Sequence, residues 1–198
     1  KDLNFPFSDL RSGQEEMIEA VRSNLNSDNN LILQAPTGSG KTIAILFAAV
    51  KSAAVRNIEK IFYLTAKTTG KNEAVENLAI LLDSGLKMRA ISLTAKEKIC
   101  MRPGSLCHIS ECEYAGGYYS KLPEAISALT KYDSVGYDII IDIAEKLKIC
   151  PFELSLDYSE YCDIIICDYN YLIDPSAQLR RYFVNRQFPS LSGKYITL

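Results

Sequence analysis

The stretch APTGSGKT, residues 35–42, decides the fold because it lies between the apolar runs LILQA (31–35) and KTIAILFAAVKSAAV (41–55). We predict a buried strand, a glycine-rich loop and a helix, which is the arrangement that binds nucleotide phosphates. Glycines let backbone N–H groups curl around phosphate oxygens, and the N-terminus of the following helix adds partial positive charge. Lys41 would reach the β- and γ-phosphates of ATP, and Thr42 would ligate Mg²⁺, so both are predicted catalytic residues. The other predicted ATP-binding residues of the loop are Pro36, Thr37, Gly38, Ser39 and Gly40.

The composition limits the classes of protein to which this chain can belong. The 198 residues, 47% of them hydrophobic, allow one ordinary domain with an insertion. No apolar run is long enough to span a bilayer, and the opening segment KDLNFPFSDL lacks the apolar core of a signal peptide, so we expect a cytoplasmic protein with no membrane partner. The net charge is −2: residues 1–99 carry 13 basic and 11 acidic side chains (+2), and residues 100–198 carry 9 and 13 (−4). A nucleic-acid partner would therefore use a local groove.

Hydrophobic periodicity predicts an α/β fold. A helix through residues 13–25 is followed, after the loop and its helix, by a strand at 60–66, a helix at 72–85 and a strand at 88–95. Between residues 96 and 150 we predict no strand, only helices at 122–132 and 137–148; strands return at 162–169 and 194–198. Alternation of this kind favours a parallel sheet with right-handed crossovers. We predict one domain of three segments: 1–95, a small, mostly helical insertion at 96–152, and 153–198.

Four of the six cysteines have the spacing C-x6-C-x4-C-x37-C: Cys100, Cys107, Cys112 and Cys150. Four thiolates close a tetrahedral site, and both Zn²⁺ and an iron–sulfur cluster accept that ligand set. The spacing alone does not choose between these two. Cys162 and Cys167 fall near or within a predicted strand and are expected to be buried free thiols, whereas His108 is expected to be solvated.

Several blocks, in order, resemble XPD/DinG-type superfamily 2 DNA helicases. APTGSGKT is similar to motif I, with Ala35 in place of the usual first glycine, and IFYLTAKTTG (61–70) is similar to motif Ia. LTAKEKIC (93–100), CHISECEYAGGYYSKLPEA (107–125) and CPFELSLDYSEYCDIIICDYNYLIDP (150–175) resemble the iron–sulfur region and the strand that follows it. The resemblance covers nearly the whole chain and implies the first part of a RecA-like motor domain.

The resemblance implies a [4Fe–4S] cluster on the four spaced cysteines and ATP-driven translocation on single-stranded DNA, with 5′→3′ polarity, up to duplex junctions. It implies an adenine contact at Gln14 with Arg11 nearby, in LRSGQEEM (10–17). DNA contacts are expected at Thr65, Lys67 and Thr68, whose hydroxyls and amine suit phosphates, and at Phe152, whose ring suits a base. Weaker stacking candidates are Tyr114, Tyr118, Tyr119 and Tyr169. We expect a monomer.

The D-E-A-H type Walker B motif of this family is expected after a strand such as KYITL, where the sequence reaches Leu198. Phosphoryl transfer needs that carboxylate and an arginine finger. We therefore expect this chain alone to be inactive in ATP hydrolysis and unwinding. Two rival interpretations remain: a P-loop ATPase of another class with a zinc-stapled insertion, and a noncatalytic module that binds nucleic acid or protein.

Overall fold

The computed structural model describes residues 3–27, 30–108, 110–183 and 195–198. The strands are β1 (Lys60–Thr65), β2 (Ala90–Ser92), β3 (Ser134–Val135), β4 (Ile164–Asp168) and β5 (Tyr195–Thr197). The longer helices are α1 (Gln14–Ser27), α2 (Lys41–Arg56), α3 (Thr68–Asp83), α5 (Tyr118–Leu129), α6 (Tyr137–Leu147) and α7 (Pro151–Tyr158). The short helices are α4 (Lys96–Ile99), α8 (Asn170–Ile173), α9 (Arg180–Phe183) and a 3₁₀ turn at Ser159–Tyr161.

These strands form one sheet in the order β3-β2-β4-β1-β5. The pair β1–β5 is parallel, with Ile61 opposite Ile196, and so is the pair β2–β3, with Ala90 opposite Ser134. The predicted α/β class, a parallel sheet flanked by helices, is confirmed. The chain divides into two compact units, residues 1–87 with 166–198 and residues 88–165.

The first unit is built on the apolar faces of α1, α2 and α3. Ala44, Leu46 and Leu78 are fully buried, as is Phe62 of β1. Three side chains from two other elements surround the Phe62 ring: Tyr182 and Phe183 of α9 and Tyr195 of β5 lie with their ring centroids 4.9–5.5 Å away. Aromatic packing of this kind holds distant segments of the chain against the sheet.

The second unit has a helical core of its own. The Tyr158 side chain, at the end of α7, is fully buried, and its hydroxyl donates to the carbonyl of Leu129, the last residue of α5, at 3.0 Å. Burial raises the pKa of Tyr158 to about 12. Residues 101–117, in contrast, form no helix or strand in their described part, and Cys112 is their one buried described residue. The helices therefore have a packed core of their own, whereas the described part of this loop does not.

Three sequence expectations need correction. The LILQA run forms no strand: Ile32 is 96% exposed, and Leu31 and Leu33 are also exposed. A strand exists only where a neighbour pairs with it, and none of the described strands pairs with this run. The two-residue strand β3 lies in the segment predicted to be strand-free. The sequence does not predict it, because two residues are too few to show alternation. Helix α3 begins at Thr68 rather than residue 72, even though Thr68, Thr69 and Gly70 have low helix propensity.

Candidate nucleotide and nucleic-acid site

The glycine loop approaches α2 through two residues in the left-handed region. Gly38 has φ 76° and Gly40 has φ 74°, values that L side chains rarely adopt. The Ser39 N–H and hydroxyl both donate to the Pro36 carbonyl, at 3.4 and 2.9 Å. The loop is thus a compact turn that delivers the chain directly to the N-terminus of α2.

Lys41, the first residue of α2, folds back over this loop. Its Nζ donates to the Pro36 carbonyl at 2.6 Å and to the Ala35 carbonyl at 3.0 Å. The ammonium therefore already stands at the loop, held by neutral carbonyl oxygens. Phosphate oxygens would be better acceptors, because they carry negative charge that attracts the ammonium, whereas carbonyl oxygens are neutral.

Gln14 and Arg11, far away in the sequence, are brought to the same loop. The Gln14 side chain is only 2% exposed, and its Nε2 donates to the Gly40 carbonyl at 3.2 Å. Its Oε1 accepts from the Arg11 backbone N–H at 2.7 Å. The Arg11 guanidinium donates to the Gly38 carbonyl at 2.6 Å. The segment that the sequence assigns to adenine is therefore hydrogen-bonded to the segment assigned to phosphate.

Thr42 is 7% exposed and donates its hydroxyl proton to Glu73 Oε1 at 2.9 Å. Glu73 lies in the second turn of α3, and sequence reasoning did not identify it. A glutamate on an amphipathic helix is ordinarily a solvated residue, so its sequence context carries no signal. Only the packing of α2 against α3 brings the two side chains together.

The predicted DNA-contacting residues of motif Ia lie at the end of β1. Thr65 is the last residue of β1, and its hydroxyl donates to the Lys67 carbonyl at 3.2 Å. Lys67 precedes α3 and Thr68 begins it, and both are exposed. The Tyr169 N–H donates to the Thr65 carbonyl at 3.1 Å, which places a partly exposed tyrosine beside this turn.

Phe152 belongs to the second unit, in the first turn of α7, and is partly exposed. Of the other aromatic candidates there, Tyr119 is well exposed. Tyr118 is buried and donates to Asp157 at 2.7 Å; burial first, and then this bond, raises its pKa. Tyr118 is therefore a packing residue, and its ring is not available for stacking on a base.

The four spaced cysteines all lie in the second unit. Cys100 directly follows α4, Cys107 is exposed, Cys112 is buried and Cys150 directly precedes α7. A hydrogen bond with Cys107 raises the pKa of Lys96, and Cys100 adds to this effect. Burial raises the pKa of the Cys150 thiol, which also accepts backbone hydrogen bonds from Glu153 and Phe152 that lower it.

The donor chemistry of these thiols fits a cluster or Zn²⁺. Within residues 3–27, 30–108, 110–183 and 195–198, however, no three Cys, His, Asp or Glu side chains stand close enough to hold a metal ion. Cys162 and Cys167 are buried as expected, and burial raises the pKa of Cys167 to about 12. His108, also as expected, is exposed and pairs with the Ser110 hydroxyl at 2.8 Å. No helix in the described part of the chain is long and apolar enough to cross a membrane.

Comparison with known proteins links these features to one family. Residues 65–187 match the family model DEAD_2. The XPD subunit of the general transcription and DNA repair factor IIH helicase from Dictyostelium discoideum is 24% identical over 95% of this chain and 27% of its own length. The XPD/RAD3 subunit from Saccharomyces cerevisiae is 23% identical over 89% of this chain and 27% of its length. A regulator of telomere elongation helicase 1 homologue from Culex quinquefasciatus is 24% identical over 89% of this chain and 24% of its length.

Solved structures give the same result for the fold. A structure described as an XPD helicase superposes with a TM-score of 0.61 at 17% identity, over 96% of this chain and 32% of that one. A truncated XPD gives a TM-score of 0.56 at 18% identity, over 82% and 47%. The chain thus spans about a quarter of the length of the curated relatives it matches. These likenesses confirm the resemblance carried by the ordered sequence blocks.

Proposed function

The chain belongs to the DEAD_2 family, and on that premise we propose that it is part of an ATP-dependent DNA helicase that translocates on single-stranded DNA. The observation that carries the proposal is the joining of Arg11 and Gln14 to the glycine loop ahead of α2. Two segments that the sequence assigns to opposite ends of one nucleotide meet here through hydrogen bonds. An ordinary glycine-rich surface turn forms without such contacts to a distant segment of the chain.

ATP with Mg²⁺ fits the groups at this loop. Two cationic side chains, Arg11 and Lys41, are bonded to its carbonyl oxygens, so the site has a charge suited to phosphates. Lys41 would exchange carbonyl oxygens for those of the β- and γ-phosphates, and Thr42 would contribute its hydroxyl oxygen to Mg²⁺. Gln14 would couple the adenine side of the site to the loop. The nucleotide supplies the phosphoanhydride bond whose cleavage drives translocation.

Single-stranded DNA is the proposed polymer, with 5′→3′ polarity and unwinding at duplex junctions. Partly buried Thr65 and exposed Lys67 and Thr68 offer two hydroxyls and an ammonium to phosphates at the turn after β1. Tyr169, bonded to Thr65 through its backbone, adds an aromatic face beside that turn. Phe152 is the proposed stacking residue of the second unit.

A [4Fe–4S] cluster is the proposed resident group of the second unit. Cys100, Cys107, Cys112 and Cys150 would hold it, since thiolates are the ligands such clusters take. Bound there, the cluster would supply folding energy to a segment that has little of its own. In its described part, the loop at 101–117 has one buried residue, Cys112, so the group would order this loop rather than the helices.

Binding of a fluorescent ATP analogue with Mg²⁺ tests the nucleotide site. Lys41→Ala removes a charge-assisted bond to phosphate, and we expect affinity to fall at least about tenfold. Lys87→Ala is the matched control, because Lys87 is exposed and follows α3 rather than the glycine loop. Equal affinities for the two variants would favour a noncatalytic binding module over the motor.

Iron, sulfide and zinc analysis of protein purified without oxygen tests the cluster. We expect about four irons and four sulfides per chain, with a brown visible absorption. One zinc and no sulfide would leave the nucleotide site intact but would support the rival ATPase with a zinc-stapled insertion. Cys112→Ser should release iron without weakening binding of the ATP analogue.

A further inference from the structure

Among the residues that the structure describes, Glu73 is the one anionic group bonded to a predicted catalytic residue of the glycine loop. Its Oε1 lies 2.9 Å from Thr42 Oγ1, although the two residues are 31 positions apart. Thr42 is buried in the first turn of α2, whereas Glu73 lies on the exposed side of α3. The bond therefore joins the phosphate-binding helix to the helix that follows the predicted DNA-contacting turn.

The direction of this bond matters for what Thr42 can do. A carboxylate only accepts, so the single hydroxyl proton of Thr42 points at Glu73. The lone pairs of the oxygen are then free on its other sides. Mg²⁺ takes oxygen ligands and demands near-ideal octahedral geometry, so a hydroxyl that is held in one rotation binds it better than a free rotor.

The negative charge of Glu73 also favours Mg²⁺ binding at the Thr42 hydroxyl. The other charged groups bonded to this loop, Arg11 and Lys41, are cations that attract phosphate and repel a metal ion. Glu73 returns one negative charge to the side where Thr42 would meet Mg²⁺. Carboxylates that orient a ligand from behind are a common feature of metal sites, and their loss costs about 10- to 100-fold in metal affinity.

We propose that Glu73 is a positioning residue for the magnesium ion of the bound nucleotide, acting through the Thr42 hydroxyl. The inference rests on the proposed nucleotide-binding function. It assigns to the helix after motif Ia a part in metal binding, beside the part in DNA binding proposed for the turn that precedes it.

The test measures binding of a fluorescent ATP analogue by the chain at Mg²⁺ concentrations from zero, with chelator, to saturation. For Glu73→Ala we expect the Mg²⁺ midpoint to rise at least about tenfold, while affinity in chelator stays within about twofold. Glu73→Gln keeps an acceptor oxygen but loses the charge, so its midpoint should lie between. Glu76→Ala is the control, since it removes the same charge from an exposed position one turn along α3.

A double-mutant cycle shows whether Glu73 acts through Thr42. In the Thr42→Ala background, Glu73→Ala should shift the midpoint by much less than it does in the unmutated chain, because only the charge effect of Glu73 remains once the hydroxyl is gone. Additive shifts, or a Glu73→Ala midpoint equal to that of Glu76→Ala, would overturn the proposal. If the unmutated chain binds the analogue in neither chelator nor Mg²⁺, the proposed function itself falls, and the role of Glu73 falls with it.

Discussion

Gly40→Ala perturbs the most tightly built contact of the glycine loop. Gly40 has φ 74°, and a Cβ on it would lie 2.2 Å from Gln14 Nε2 and 3.2 Å from its Cδ. Gln14 is buried and bonded at both ends of its amide, so it cannot move aside without losing both bonds. Gly38→Ala is the matched control: φ is 76°, but an added Cβ would meet no described atom within 4 Å.

The magnitude follows from these contacts. An alanine forced into the left-handed region costs about 1 kcal/mol, after the smaller entropy of its unfolded chain is counted. Each of the two hydrogen bonds of Gln14 contributes about 1 kcal/mol. Gly38→Ala should therefore lower the free energy of unfolding by about 1 kcal/mol, and Gly40→Ala by about 3 kcal/mol.

A third variant separates strain from the lost contact. Gln14→Ala removes both bonds without backbone strain, so we expect a loss of about 2 kcal/mol. In the double variant Gln14→Ala/Gly40→Ala the clash has no partner, and only the strain is added. Its loss should be about 3 kcal/mol, which is about 2 kcal/mol less than the sum of the two single losses.

Urea unfolding, followed by circular dichroism, measures these values on one chain under one condition. Equal losses for Gly38→Ala and Gly40→Ala would refute the reasoning, since both residues carry the same strain. So would additivity of Gln14→Ala and Gly40→Ala, because the two side chains would then not meet.

Other predictions concern the second unit and the sheet. Compared with unmutated, cluster-loaded protein, Cys112→Ser should exchange hydrogen faster in residues 101–117, with α5, α6 and α7 still protected; loss of protection in the helices would contradict their separate core. Cys167, with a pKa of about 12, should stay almost wholly protonated and resist alkylation until the chain unfolds; between about pH 8 and about pH 10 its small thiolate fraction should rise about tenfold per pH unit, whereas that of a free thiol levels off above its pKa of about 8.5. Tyr158→Phe should cost about 1 kcal/mol in urea unfolding through its lost hydrogen bond, whereas Tyr161→Phe, at an exposed ring, should change stability by less than about 0.5 kcal/mol.

The hydrophobic pattern predicts a helix or strand well where the residues of that element themselves determine its structure. Helix α2 spans Lys41–Arg56, close to the predicted 41–55, because its apolar side chains and the glycine loop ahead of it both act locally. Strand β4 was equally clear, since IIICD is apolar over most of its length and buried. The parallel sheet followed from the alternation of such elements.

Pattern failed where structure depends on distant partners. The run LILQA is as apolar as β4, yet its leucine and isoleucine side chains are exposed. The prediction of a strand was wrong here because periodicity reports side-chain type and not the presence of a pairing strand. An open cavity of about 750 Å³ lies beside Leu31 and Leu33 and reaches the end of β5. The strand β3 exists only through its pairing with β2, which two residues of sequence do not reveal.

The candidate site divides in the same way. Lys41 and Thr42 are marked by a local motif, but the bond of Thr42 to Glu73 is a matter of helix packing and has no sequence signature. Gln14 is intermediate between residues marked by a motif and residues that only the packing reveals. A short motif suggested it, and its burial and its bond to the Gly40 carbonyl supply a physical reason for its presence at the loop.

The central claim, that the segments around Gln14 and Gly40 form one nucleotide site, is tested most directly by hydrogen exchange of the chain with and without ATP and Mg²⁺. The account predicts slower exchange in two segments far apart in sequence, residues 11–17 and 35–44, and a smaller change at 68–73. Protection confined to residues 35–44 would contradict the joining of the two segments. No protection in either segment at saturating nucleotide would contradict the nucleotide site itself.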